Sequence, residues 1–134
     1  MKIELDVHTH TIASGHAFST LQEMAQAAAD KGLKVLGITE HSPGVPGTCH
    51  PIYFRNLHVV PRRMYGVELL LGAEINILDG KGNLELDEDY MKMLDIRIEG
   101  ILSLCAGCRG WCCCWGLRLI FWMVKETAIW TMII

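Results

Sequence analysis

The sequence predicts an α/β fold built on parallel strands, and three observations carry that prediction. Apolar segments of strand length alternate with helix-like ones. Two of the strand segments, "KVLGITEH" and "VELLLGAEINI", are apolar almost throughout, as strands covered on both faces are. Histidines and a carboxylate fall near the ends of the strand segments, where parallel α/β folds gather their active sites.

Each element has its own signal. "KIELDVH" alternates, with Ile3, Leu5 and Val7 on one face, and predicts a strand that closes at His8 and His10. "FSTLQEMAQAAADKGLK" predicts a helix. Ser19 is placed to cap it with Gln22 as reciprocal partner, Leu21, Met24, Ala25 and Ala28 form one apolar stripe, and Gly32 stops it. "KVLGITEH" is a second strand, ending at Glu40 and His41, and "SPGVPGT" is a loop punctuated by proline and glycine. Residues 52–65 show no clear period and allow a short helix. "VELLLGAEINI" is a third strand and carries Glu74; "LDGKGN" is a turn. "LDEDYMKML" reads as a short helix, with Glu85, Asp87, Glu88 and Asp89 as a solvated, helix-starting acidic run. "DIRIEGI" is a fourth strand. This order implies parallel strands joined by right-handed crossovers.

A chain of 134 residues, half of them apolar, is long enough for one domain with a real core. Its net charge of −3 and lack of a basic patch speak against a nucleic-acid partner. The first residues lack the apolar run of a secretory signal, and no segment reaches the roughly 18 apolar residues of a membrane span. A cytoplasmic location without a membrane partner is the expectation.

His8 and His10 lie two residues apart on a strand and so project from one face. His16 follows from the next loop, His41 closes the second strand, and Glu74 lies near the end of the third. Any one of these histidines alone reads as an ordinary structural residue; together at strand ends they read as metal ligands. Imidazole nitrogen with carboxylate oxygen suits zinc, manganese or iron and does not favour calcium or magnesium. The chemistry implied is metal-assisted hydrolysis with metal-activated water. His50, in the proline- and glycine-rich loop, is a candidate substrate contact, whereas His58 reads as structural.

The stretch "DVHTHTIASGHAFSTLQEMAQAAADKGLKVLGITEHSP", followed by "LLLGAEINILDGKGNLEL", resembles the PHP superfamily, named for polymerase and histidinol phosphatase, and most of all its small stand-alone phosphatases. The resemblance spans roughly residues 1–101 and rests on the H-x-H pair, the spaced His16, the strand-end T-E-H and the G-x-E-x-N-I around Glu74. It implies the N-terminal half of a distorted (β/α)7 barrel, truncated, and a trinuclear site of zinc or manganese acting on a small phosphorylated substrate. By resemblance, His8 and His10 bind a first metal, His16 and His41 a second, and Glu74 bridges the first and third. Glu40 stands where the family usually has aspartate. The family's later ligands, histidines among them, have no counterpart, because no histidine follows His58. Fewer metals and an impaired enzyme are therefore expected. The alternatives are a non-catalytic metal-binding fragment and a PHP-type nuclease.

Residues 102–134 differ in kind. They hold all four tryptophans and five of the six cysteines. A zinc module would want two spaced cysteine pairs, which Cys105, Cys108 and the adjacent Cys112, Cys113 and Cys114 do not supply. An apolar tail that packs on the body or on a partner is a second reading. The genetic code supports a third. Joining the last base of each codon to the first two of the next, from Trp111 onward, gives Val, then permits "LLLGAEINILDGKGN", identical to Leu69–Asn83 over fifteen residues. The tail thus reads as out-of-frame translation of a second copy of the Glu74 segment. No consistent fold is expected beyond about residue 102, and an uncovered strand edge beside apolar residues favours self-association.

Overall fold

The computed structural model describes residues 3–79, 81–100, 121–124 and 127–130. The elements run β1 (Leu5–Thr9), α1 (Leu21–Asp30), β2 (Val35–His41), α2 (Ile52–Asn56), β3 (Arg63–Met64), β4 (Val67–Asn76), α3 (Glu88–Met91) and β5 (Ile96–Gly100). Strands β1, β2, β4 and β5 are parallel neighbours in that order, the arrangement expected of the first part of a β/α barrel. β2 and β4 pair from Val35↔Glu68 to His41↔Glu74, which brings their carboxyl ends level.

The core lies where α1 and α2 cover the sheet. Ala25 and Ala28 of the predicted stripe are buried in one cluster with Leu36, Ile38, Leu69, Leu71, Phe54 and Leu57. Small residues set the strand spacing. A Cβ on Gly37 would stand 2.6 Å from the Val7 carbonyl oxygen, and one on Gly72 only 1.9 Å from that of Ile96. The ambiguous segment 52–65 resolves into α2, a 3-10 turn at Leu57–Val59, and β3. β3 turns back through Tyr65 and Gly66, both at positive φ, to pair antiparallel with the start of β4. Such a two-residue turn matches the right-handed twist of a hairpin.

Two expectations need correction. The helix cap is Thr20 with Glu23, not Ser19 with Gln22. Thr20 takes the extended conformation a cap needs, and Glu23 accepts both its N–H (2.7 Å) and its hydroxyl (2.8 Å). A carboxylate is the stronger acceptor, and those bonds hold Glu23 below its ordinary pKa. Glu85 is not part of a solvated run. It is half-buried and accepts from the Ser42 hydroxyl and, at 2.6 Å, from the Asn76 amide, tying the loop after β2 to the end of β4.

Beyond residue 102, two short strands stand where no consistent fold was expected. β6 (Phe121–Val124) pairs antiparallel with β5, and β7 (Thr127–Trp130) pairs antiparallel with β6. The outer edge of β5 presents a row of backbone donors and acceptors, and a short β-prone segment satisfies it whatever its side chains were selected for. The cysteine-rich stretch 105–114 lies outside the described residues. Among the described residues, no helix is long and apolar enough to cross a membrane.

Candidate metal centre

Three strand ends and one loop build the site. β1 delivers His8 and, just past its end, His10. A register irregularity between Asp6 and Thr9 marks this stretch of β1. The chain then makes a 3-10 turn, Ile12–Ser14, capped by the Thr11 hydroxyl and closed by Gly15 at φ 74°. Only glycine fits at that closure, because a Cβ there would meet the Gly47 carbonyl oxygen at 2.2 Å. The turn brings His16 back over His10, with ring centroids 5.0 Å apart. β2 ends in His41, whose ring stacks on His10 at 4.5 Å. β4 supplies Glu74 directly across from His41.

The side chains converge on one oxygen. Glu74 Oε2 lies 3.2 Å from His8 Nε2, 3.4 Å from His10 Nε2 and 3.2 Å from His41 Nδ1. His8 Nε2 and His10 Nε2 are 3.3 Å apart. The same residues form two groups with ligand-capable atoms within 4.8 Å of one another: His8, His10 and Glu74, and His10, His16 and His41. His10 belongs to both. Burial would push the Glu74 carboxyl up, but the imidazoles of His10, His8 and His41 against it, when they carry a second proton, prevail and hold it well below the usual carboxylate range. Several imidazole nitrogens crowded on one carboxylate oxygen have few protons to share and many electron pairs to place. That donor set could hold a divalent cation.

Behind this cluster stands a shell the sequence reading missed. Glu40, the residue before His41 on β2, is fully buried. It accepts from the Thr11 N–H (3.1 and 3.2 Å to its two oxygens), the Thr11 and Ser14 hydroxyls (2.5 Å each), and the Tyr53 hydroxyl (3.5 Å). Burial, then the Glu40 charge, pushes the Tyr53 hydroxyl up and the Cys49 thiol up to about 11. The one available signal was that Glu40 directly precedes His41 at a strand end; nothing in the spacing linked it to Ser14.

The remaining histidines stand apart from both groups. His50 is exposed, and its Nδ1 accepts the Ile52 N–H at 3.2 Å. His58 Nδ1 donates to the Arg55 carbonyl at 2.6 Å, a local structural role.

Residues 6–109 match the PHP domain. Probable phosphatases of Clostridium novyi, Thermoanaerobacter pseudethanolicus and Clostridium botulinum are 55%, 50% and 47% identical over 105 residues. Each alignment covers 78% of this chain and 43% of the relative, so the chain spans less than half the length of these relatives.

Proposed function

The chain belongs to the PHP domain family, and from that premise we propose that it carries the first part of a metal-dependent phosphoric-ester hydrolase site. The observation that supports this most is the convergence of His8, His10 and His41 on Glu74 Oε2. The names of the relatives point the same way, since each is called a probable phosphatase. In this reading His8, His10 and Glu74 hold one ion, and His16 and His41, beside the shared His10, hold a second. A divalent ion held by these residues would supply a nucleophile from water near neutral pH and would neutralise charge on a phosphoryl oxygen.

The chain's own residues do the rest. Glu74 adds negative charge, which strengthens cation binding and leaves the site ready for an anionic ester only once loaded. His50, whose Nδ1 accepts a backbone N–H, carries its proton on Nε2 and offers it as a donor to a substrate oxygen. The substrate class is a small phosphorylated molecule; the net charge of −3 disfavours a nuclease.

Zinc or manganese is one half of the test, and turnover of a generic phosphate ester is the other. We expect the 134-residue chain to bind zinc, and His10→Ala to weaken binding beyond the roughly 10–100-fold typical of losing an outer-shell partner. Turnover should be weak, because no histidine follows His58 to complete the family's ligand set. Zinc binding with no turnover would favour the non-catalytic fragment. No binding at all would remove both readings. Steady turnover abolished by His8→Ala would mean that the ligands in hand suffice.

A further inference from the structure

Ser14 touches three of the four clustered histidines, and its protons can be counted. The residue is buried, at 3% exposure. Its hydroxyl has one proton and two lone pairs. The proton goes to Glu40 Oε2 at 2.5 Å, because a carboxylate oxygen only accepts. One lone pair takes the His41 backbone N–H at 3.0 Å. The third contact, His10 Nδ1 at 3.0 Å, must then be a bond donated by the ring. The Ser14 carbonyl likewise only accepts, so His16 Nδ1, 3.1 Å away, also donates. Both rings are left with a lone pair on Nε2. For His10 that atom faces His8 and Glu74.

We propose that Ser14 is a positioning residue that locks His10 and His16 in their Nδ1–H forms, presenting Nε2 of each as the electron-pair donor to a divalent cation. Glu40 sets the direction of the lock. Without a strong acceptor behind it, the Ser14 hydroxyl could donate to His10 Nδ1, and the ring proton would move to Nε2. That proton would then bond to Glu74, and the pair would be closed to a cation. Glu40 is itself held by Thr11 and Tyr53, so the chain from Tyr53 to His10 is oriented end to end. Outer partners of this kind orient ligating imidazoles in general; here one serine serves two rings through two different atoms.

The consequence for affinity rests on the metal-centre reading, whereas the tautomers do not. The test therefore has two arms. In the first, long-range proton–nitrogen correlation spectra of the metal-free full chain, taken at alkaline pH where the imidazoles are neutral, report the tautomers. His10 and His16 should both be Nδ1–H. Ser14→Ala should release His10 and leave His16 unchanged, because His16 uses the backbone carbonyl. Glu40→Gln, which can turn an amide donor toward Ser14, should move His10 toward Nε2–H. In the second arm, chelator competition should show zinc affinity falling about 10–100-fold in Ser14→Ala. His10 found as Nε2–H in the unmodified chain overturns the proposal, as does Ser14→Ala with an unchanged His10 tautomer or unchanged zinc affinity. Should Ser14→Ala fail to fold, the unmodified chain and Glu40→Gln decide. Failure of the unmodified chain to bind zinc removes the metal-centre reading and leaves the tautomer arm standing.

Discussion

The two sides of the sheet obey different rules. On one side β1, β2 and β4 run parallel and place His8, His10, His41 and Glu74 near their carboxyl ends. On the other, β5 runs parallel to β4, but β6 and β7 turn antiparallel. β6 begins beside Glu99, near the site end, and runs back to Ile96. Its carboxyl end therefore points away from the histidine cluster. Backbone pairing alone can extend a sheet; only parallel strands with a shared direction bring ligands to one place. The first side couples sequence to chemistry, and the second couples sequence to an edge.

The largest break in this comparison would come from the gene. We expect the DNA from the Trp111 codon onward, read from its third base, to encode Val followed by a second "LLLGAEINILDGKGN". β6 would then be built from codons whose other frame encodes a copy of the "LDGK" segment that follows the Glu74 strand. Nucleotide sequencing decides it. A Gly116 codon ending in anything but G, or Leu117 and Arg118 codons that cannot join as glutamate, ends the out-of-frame account and returns the cysteines to consideration as a module.

The junctions between strands sharpen the comparison next. Gly72→Ala drives a Cβ to 1.9 Å from the Ile96 carbonyl, where backbone must move, while at Gly37 the approach to Val7 is 2.6 Å. Overpacking of this kind costs typically about 1–3 kcal/mol. Gly72→Ala should lie at or above the upper end, and Gly37→Ala below it, in urea-midpoint measurements. Equal effects would mean that the β4–β5 junction yields more easily than its packing suggests.

A pH series isolates the charge at the site. Glu74 has a folded pKa below its ordinary value of 4.5. A carboxylate shifted in that direction stabilises the fold fully above its unfolded value and loses the contribution as pH falls through the folded one. In the metal-free chain, the stability difference between the unmodified protein and Glu74→Gln should move steadily in favour of the variant as pH falls below 4.5. Urea titrations from neutral to acid pH measure this, and a difference that grows in favour of the unmodified chain would reverse the sign assigned to Glu74.

The strands and the clustering of the histidines with Glu74 were legible because both rest on short-range signals: period two for β1, apolar runs for β2 and β4, and polar residues at their ends. The shell behind them was not. Glu40, Ser14 and Thr11 are ordinary polar residues in sequence, and their joint role exists only because a 3-10 turn folds Ser14 back onto β2. Glu85 was misread for a related reason. It begins an acidic run, but the bridge Ile77↔Leu84 carries it toward Asn76 and Ser42, 43 residues away in the chain for the latter. Local composition described its neighbours correctly and Glu85 itself wrongly.

The helix cap gives the finest version of the same lesson. Ser19 and Thr20 both satisfy the capping pattern, each followed three residues later by a suitable partner. What separates them is the partner: Gln22 is a neutral amide, and Glu23 is a carboxylate that can face the positive end of the helix. The backbone follows the stronger bond, with Thr20 Oγ1 accepting the Glu23 N–H at 3.3 Å and Glu23 Oε2 accepting the Thr20 N–H at 2.7 Å. Thr20→Ala should therefore destabilise the protein by about 1 kcal/mol, the usual cost of a lost cap, and Ser19→Ala should change stability by a few tenths at most. The two thermal midpoints measured side by side make the comparison. Equal losses would mean that the helix shifts its start by one residue and uses either cap, in which case α1 holds its place through Ala25 and Ala28 rather than through its end.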